Sequence, residues 1–335
     1  MNAPASSIGA ATSVTTDRGA AIEAMLSGSI KDDEMLDLFN KWSSVPFTAA
    51  DLASAAQAMR AMMLPVDLGS SAIDTCGTGG SRKQRINTST LVAFIVAAAG
   101  GKVAKHGNRA AGGRCGSFDL LEGLGATINL KPEQEQKIFK ELGIVFLFAQ
   151  IHHPAMKHVA SARKAFGKPT IFNLLGPLSN PANVRRQILG TPSKANAQLL
   201  RDALKLLGTE ESWIVTGDDA LDEITITGSS TILKSDGGEE RFSPLDLRLP
   251  LVNEVEIRGG TAADNLQIVR ELATGKGTAA HRNLVIVNAA HALMLANIAL
   301  TVQAGAVIAS DILRSGSVRT LIDRYVEASN DLSSS

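Results

Sequence analysis

The chain is predicted to be an α/β protein: a small all-helical domain joined to a larger α/β domain whose central, mostly parallel sheet is flanked by helices. Three observations predict it. Residues 18–68 carry apolar positions at helical spacing, with few β-branched residues. Beyond Pro65, short apolar runs, glycine-rich loops and amphipathic stretches alternate, which is the pattern of βαβ units. The length, 335 residues, suits two domains or one large domain with an appendage, and is enough to bury an ordinary core.

In chain order, the first sixteen residues lack any charge and are rich in Ala, Ser and Thr. They have no basic segment followed by an apolar one, so residues 1–17 read as a disordered tail rather than a secretory signal. Three helices follow in RGAAIEAMLSG, DDEMLDLFNKW and TAADLASAAQAMRAMML, the third capped by Thr48 and closed by Pro65. So short a unit needs something larger to pack on. SAIDTCGTGG is a strand ending in a glycine loop, NTSTLVAFIVAAAGG a helix stopped by Gly100 and Gly101, and KVAKHGN a second strand. SFDLLEGLGA is a helix and ATINL a strand; a helix over 132–142, a strand over 143–149 and a helix over 156–166 come next. SWIVTG and DEITITG read as strands, 234–242 as a hairpin, and 265–273 and 283–315 as helices. The polar residues inside 284–309 mark a buried helix pair, not a bilayer span.

Composition excludes several functions. With 33 Lys and Arg against 33 Asp and Glu, there is no global attraction to nucleic acid or to an anionic membrane. The two cysteines, Cys76 and Cys115, exclude a disulfide scaffold and suit a cytoplasmic setting.

Four places carry chemistry. Gly77-Thr78-Gly79-Gly80 follows a strand and precedes a helix opened by Asn87-Thr88-Ser89-Thr90, an arrangement in which glycines and a helix N-terminus admit an anion. A tight βα turn with a helix cap is the competing reading. Lys105-His106-Gly107-Asn108-Arg109 stands at the carboxyl end of a strand, the edge where open α/β sheets bind ligands. The glycine-rich run from Gly112-Gly113 to Ser117 follows it and suits phosphate, against the alternative of a solvated loop; Cys115 there reads as a packed thiol. Asp218-Asp219 and Asp222-Glu223 are either a solvated acidic turn or ligands for a hard cation such as Mg²⁺, and no basic run lies beside the pair in sequence. Arg163 and the proline-stiffened NLLGPLSNP segment complete the set. Adjacent His152 and His153 have no metal spacing.

Taken in order, GTGG…N-x-S-T, VAKHGNR…G-S-x-D-x-L-E-x-L-G, HPAM…R…IFNLLGPL-x-NP, D-x-L-D-E, RGGTAADN and NAAHAL resemble the anthranilate phosphoribosyltransferase family. The likeness runs from about residue 35 to 325. It implies a helical domain, 18–68, hinged to an α/β domain, 69–171 and 191–330, with the segment around 172–190 returning to the helical domain, and a homodimer formed through that domain. It implies transfer of a phosphoribosyl group from phosphoribosyl pyrophosphate to the amine of anthranilate, in tryptophan biosynthesis. It assigns the donor to Gly77, Gly80, Ser81, Arg85, Asn87, Thr88, Ser89, Thr90, Lys105, His106, Gly107, Asn108, Arg109, Gly112, Gly113 and Ser117. Two Mg²⁺ ions fall to Ser89, Asp222 and Glu223, and anthranilate to Gly77, Asn108, His153 and Arg163. The catalytic roles fall to His106, Asn108 and Arg163.

The chain also departs from the family's pattern. Ser81-Arg82-Lys83-Gln84-Arg85 replaces an aspartate and a glycine-rich run, and Gly112-Gly113 replaces a serine pair. Arg82, Lys83 and Arg85 are therefore expected to grip pyrophosphate through charge, on a loop that closes when the donor binds. A paralogous phosphoribosyl- or pentosyltransferase acting on another aromatic or heterocyclic acceptor is the alternative function. A nucleic-acid-binding relative of the fold is a further one, against which the absence of a basic stripe speaks.

Overall fold

The computed structural model describes residues 17–79, 83, 85–110 and 115–333. Three helices open it: α1 (Arg18–Leu26), α2 (Asp32–Ser43) and α3 (Ala49–Ala61). Each starts where the sequence offers a cap or an acidic first turn. Asp17 accepts the Gly19 and Ala20 amides, Asp32, Asp33 and Glu34 sit at the positive end of α2, and Thr48 forms a capping box with Asp51. Their buried faces, including Met25, Phe39, Trp42 and Leu52, close only in company with Phe172, Leu175 and Leu178 and with Leu200 and Leu204. The helical unit thus completes its core against one face of the sheet.

Strands β1 (Ile73–Gly77), β2 (Val103–Gly107), β3 (Ile144–Phe148), β4 (Arg186–Gly190) and β5 (Glu211–Gly217) run parallel. A hairpin of β6 (Ser230–Lys234) and β7 (Glu239–Phe242) extends the sheet antiparallel. Among the described residues the order is β3-β2-β1-β4-β5-β6-β7. The crossovers hold α4 (Thr88–Ala98), α5 (Ser117–Leu124) and α6 (Pro132–Leu142), then α7 (Ala149–His152), α8 (Lys157–Phe166) and α9 (Phe172–Leu175), and finally α10 (Lys194–Leu206). Helices α11 (Ala262–Ala273), α12 (Ala279–Leu295), α13 (Val302–Arg314) and α14 (Ser317–Ser333) close the chain. Leu91, Phe94 and Ile95 of α4 are buried with Leu284, Val285 and Leu293 of α12, so α4 is apolar on every side. The helical region expected at 283–315 is the pair α12 and α13, separated by Asn297 at φ 57°. Among the described residues no helix is long and apolar enough to cross a membrane.

Two expected strands are not strands. In 126–130, Ala126, Ile128 and Leu130 are buried, but the Thr127 amide donates to the Ser329 hydroxyl at 3.1 Å instead of joining a ladder. In 222–228 the Ile224 amide donates to Asn288 Oδ1 and the Thr225 amide to Ser230 Oγ, both at 2.9 Å. Conversely, the last five residues of 172–190 form β4 inside the sheet. Gln187 interrupts its apolar run yet is buried, with its carboxamide donating to the Pro177 carbonyl at 3.3 Å.

At the carboxyl end of β4, Gly190 pairs with Gly77 of β1, and a Cβ placed on Gly190 would lie 1.7 Å from the Asp222 carbonyl oxygen. The Gly190 backbone cannot yield without breaking the ladder, and the Asp222 loop is held through Ile224 by Asn288. Gly190→Ala is expected to cost at least about 3 kcal/mol of stability. Urea unfolding measures it, and an unchanged midpoint would show that the loop carrying Asp222 moves freely.

Candidate active site

The carboxyl ends of β1, β2 and β4 open into a cleft of about 920 Å³. Every described residue that the family likeness assigns to the site lines it: Gly77, Arg85, Asn87, Thr88, Ser89, Thr90, Lys105, His106, Gly107, Asn108, Arg109, Ser117, His153, Arg163, Asp222 and Glu223. Gly80, Ser81, Gly112 and Gly113 lie outside the described residues. Asp218 and Asp219 do not line it. Asp218 pairs with Arg241, and Asp219 accepts the Thr225 and Thr227 hydroxyls at 3.0 and 2.8 Å.

One wall is the start of α4. Asn87 stands at its N-cap without a side-chain cap bond, the Thr88 hydroxyl is buried beside Glu223, and the Thr90 hydroxyl is buried with no hydrogen-bond partner among the described residues. The helix end therefore keeps its partial positive charge at the cleft. Asn265 of α11 fixes this entry: its Oδ1 accepts the Asn87 amide at 3.1 Å and its Nδ2 donates to the Arg85 carbonyl at 2.9 Å.

A second wall is the end of β2. Lys105 turns inward and donates to the Thr75 carbonyl; burial lowers its pKa against the pull of Asp74. His106 Nδ1 donates to the Gly176 carbonyl at 3.2 Å and His153 Nε2 to the Ser179 carbonyl at 3.0 Å. The rings lie 5.0 Å apart, and each keeps a buried acceptor nitrogen with no partner among the described residues. Burial drives His106 well below the ordinary histidine range and His153 to about 4, so both are neutral at pH 7.

The loop after β2 is pinned by Asp119, which accepts the Ala110 and Gly116 amides at 2.8 and 2.7 Å. Asn108 Oδ1 accepts the Arg109 amide at 2.8 Å, and the Arg109 guanidinium turns out to Glu122. Burial lifts the Cys115 thiol to about 11, in keeping with a packed, unreactive side chain.

The acid pair has a basic neighbour after all, brought from another loop. Arg85 contacts Asp222 Oδ1 and places its Nε 3.1 Å from Glu223 Oε1. Burial opposes the Arg85 charge, and Glu223 and Asp222 together outweigh it. One guanidinium shared by two carboxylates leaves a negative charge over. Burial, helped by the Asp222 charge and opposed by Arg85, holds Glu223 at about 7. Asp222 Oδ1 and Glu223 Oε1 are buried against the Arg85 guanidinium, and Asp222 Oδ2 is buried without a hydrogen bond among the described residues. Buried carboxylate oxygens are the ligands a hard divalent cation takes, so the chemistry of the pair fits Mg²⁺. Lys83, expected to grip pyrophosphate, pairs with Glu254 at 2.9 Å and Asp219 at 3.6 Å. Arg82 lies outside the described residues.

Opposite stands Arg163 on α8. Its guanidinium lies 5.4 Å from the centre of the Phe172 ring, burial lowers its pKa, and it has no carboxylate partner among the described residues. Asn265 and Asn288 are functional residues beyond the sequence assignments; Asn288 clasps the Ile224 amide and carbonyl at 2.9 Å each. For Asn288 the signal is an asparagine inside the apolar run LVIVNAA, where only a satisfied carboxamide is tolerated, whereas Asn265 sits among charged residues of an amphipathic helix and carries no such signal.

Residues 69–319 match the family described as glycosyl transferase family, a/b domain. The chain is 40% identical over 312 residues to the anthranilate phosphoribosyltransferase of Novosphingobium aromaticivorans, across 92% of this chain and 94% of that one. Its fold superposes on the anthranilate phosphoribosyltransferase of Thermus thermophilus with a TM-score of 0.89 at 33% identity, covering 94% of this chain and 95% of that one. The Saccharomyces cerevisiae enzyme in complex with PRPP and Mg gives 0.84 at 27% identity, covering 95% and 93%.

His153 carries a pH consequence. Its folded value lies below the ordinary value of about 6.5, so the neutral ring stabilises the fold above that pH, and the contribution is lost as pH falls towards about 4. His153→Asn, which keeps a donor for the Ser179 carbonyl, is expected to flatten the fall of Tm over that window. Parallel Tm curves for the two proteins would show that His153 does not titrate there.

Proposed function

The chain belongs to the anthranilate phosphoribosyltransferase family, and on that premise we propose how its cleft performs the transfer. The enzyme moves the phosphoribosyl group of phosphoribosyl pyrophosphate onto the amine of anthranilate and releases pyrophosphate. The observation that carries the assignment of the two ends is the separation of charge: an acid pair on one side, and on the other a cation with no carboxylate partner among the described residues.

The donor lies against the start of α4, where Asn87, Thr88, Ser89 and Thr90 offer amides, hydroxyls and the helix's partial positive charge. Gly77, Gly107 and Ser117 shape that side; the family likeness also assigns Gly80, Ser81, Gly112 and Gly113 to the donor, and these lie outside the described residues. Asp222, Glu223 and Ser89 would hold Mg²⁺, two ions by the family likeness, and the bound metal would supply positive charge to offset the negative charge gathering on the pyrophosphate leaving group. Arg163 takes the acceptor's carboxylate and Asn108 orients its amine towards the ribosyl carbon. With His106 and His153 both neutral, their spare nitrogens accept from the amine, and its proton leaves to the substrate's own carboxylate. Positioning of the two reactants, more than a strong base, then sets the rate.

We further propose a division into the helical unit with its returning segment and the sheet domain, and a homodimer through the helical unit, where Val45 and Leu64 are exposed. The two free thiols suit a cytoplasmic location.

Arg163→Ala is the direct test. Loss of a charge-assisted contact in a desolvated site costs roughly 1.5–3 kcal/mol, so the acceptor KM should rise by about one to two decades while the donor KM holds. An equal rise in both would make Arg163 a structural support.

A further inference from the structure

Residue 85 closes the stretch 81–85 that departs from the family's pattern, and its side chain ends on the carboxylates proposed to hold metal. The anchor of that side chain is rigid. The Arg85 carbonyl accepts from Asn265 Nδ2 at 2.9 Å, and its backbone forms a bridge with Arg258. The target is rigid as well. Asn288 clasps the backbone of Ile224, the residue after the acid pair, and the Asp222 carbonyl packs against Gly190. Between two fixed points the guanidinium spans Asp222 and Glu223 together, with 22% of its own side chain exposed and none of Asp222's. The other basic side chain described on this loop, Lys83, is engaged with Asp219 and Glu254.

We propose that Arg85 holds the place of a divalent cation on the Asp222–Glu223 pair, so that a metal ion gains the pair only when the guanidinium leaves it. The proposal deepens the transferase reading and rests on it for the identity of the metal. A guanidinium and a metal ion compete for the same oxygens, because both satisfy anionic lone pairs and repel each other. The fixed fork of arginine also matches two carboxylates better than a point charge does.

Substitution at this position leaves the backbone contacts of residue 85 intact, so the variants fold through the same loop. The test is Mn²⁺ binding to the donor-free protein, followed by electron paramagnetic resonance. Arg85→Thr should bind Mn²⁺ at least about tenfold more tightly than wild type, about 1.4 kcal/mol by the standard conversion. Arg85→Thr combined with Asp222→Asn should lose that gain, and Arg85→Lys, which keeps the charge but not the fork, should bind Mn²⁺ with an affinity between those of wild type and Arg85→Thr. A second readout is stability. With its buried carboxylates unpaired, Arg85→Thr should lose about 5 °C of Tm in chelator and recover it in Mg²⁺, whereas wild type is indifferent to Mg²⁺. Equal Mn²⁺ affinity in wild type and Arg85→Thr, or a variant Tm indifferent to both chelator and Mg²⁺, overturns the proposal. Neither arm contains donor or acceptor, so a failure of turnover falls on the transferase reading and leaves this result standing.

Discussion

The structure depends on three strand ends that carry no side chain. Gly77, Gly107 and Gly190 terminate neighbouring parallel strands. A Cβ on Gly190 would meet the Asp222 carbonyl at 1.7 Å, one on Gly107 the Ser117 hydroxyl at 2.3 Å, and one on Gly77 the Asp222 carboxylate at 3.0 Å. Each glycine therefore lets a wall of the cleft close onto the sheet edge. The acid pair, the start of α5 and the loop before α4 converge because the strand ends give them room. With a methyl group at these positions, the same residues would line a wider gap and could not share one ligand.

Charge inside the cleft follows from burial. Two imidazoles are kept neutral, one guanidinium is spent on the acid pair, and another is left without a carboxylate partner among the described residues. Desolvation makes each arrangement costly to leave unpaired and correspondingly responsive to a ligand of the right charge. Asn265 and Asn288 make this possible by satisfying loop backbone that has no ladder to join. Helices α11 and α12 thus serve the site although they come from the far end of the chain.

Much of this could be read from residues in order. The glycine loop before α4, the polar run after β2, the acid pair and Arg163 were each visible as types badly suited to a core, and all line one cleft. What could not be read was anything set by backbone bonds to side chains. The segment 222–228 alternates and is rich in Ile and Thr, so it mimics a strand, but its amides are taken by Asn288, Ser230 and Thr225. In 126–130 the alternation is real, since one side is buried, yet α14 supplies the partner through Ser329 and Asn330. β4 was passed over for the opposite reason, because a buried Gln187 breaks its apolar run. The ion pairs of Arg85 were beyond sequence reasoning altogether, since they join residues far apart in the chain.

The central claim is that this cleft joins a phosphoribosyl donor to an aromatic amine bearing a carboxylate. It is tested most directly by following anthranilate fluorescence in the presence of phosphoribosyl pyrophosphate and Mg²⁺ while pyrophosphate is counted. The account predicts that fluorescence falls and that one pyrophosphate appears for each anthranilate consumed. Unchanged fluorescence with donor and Mg²⁺ at saturation would contradict it.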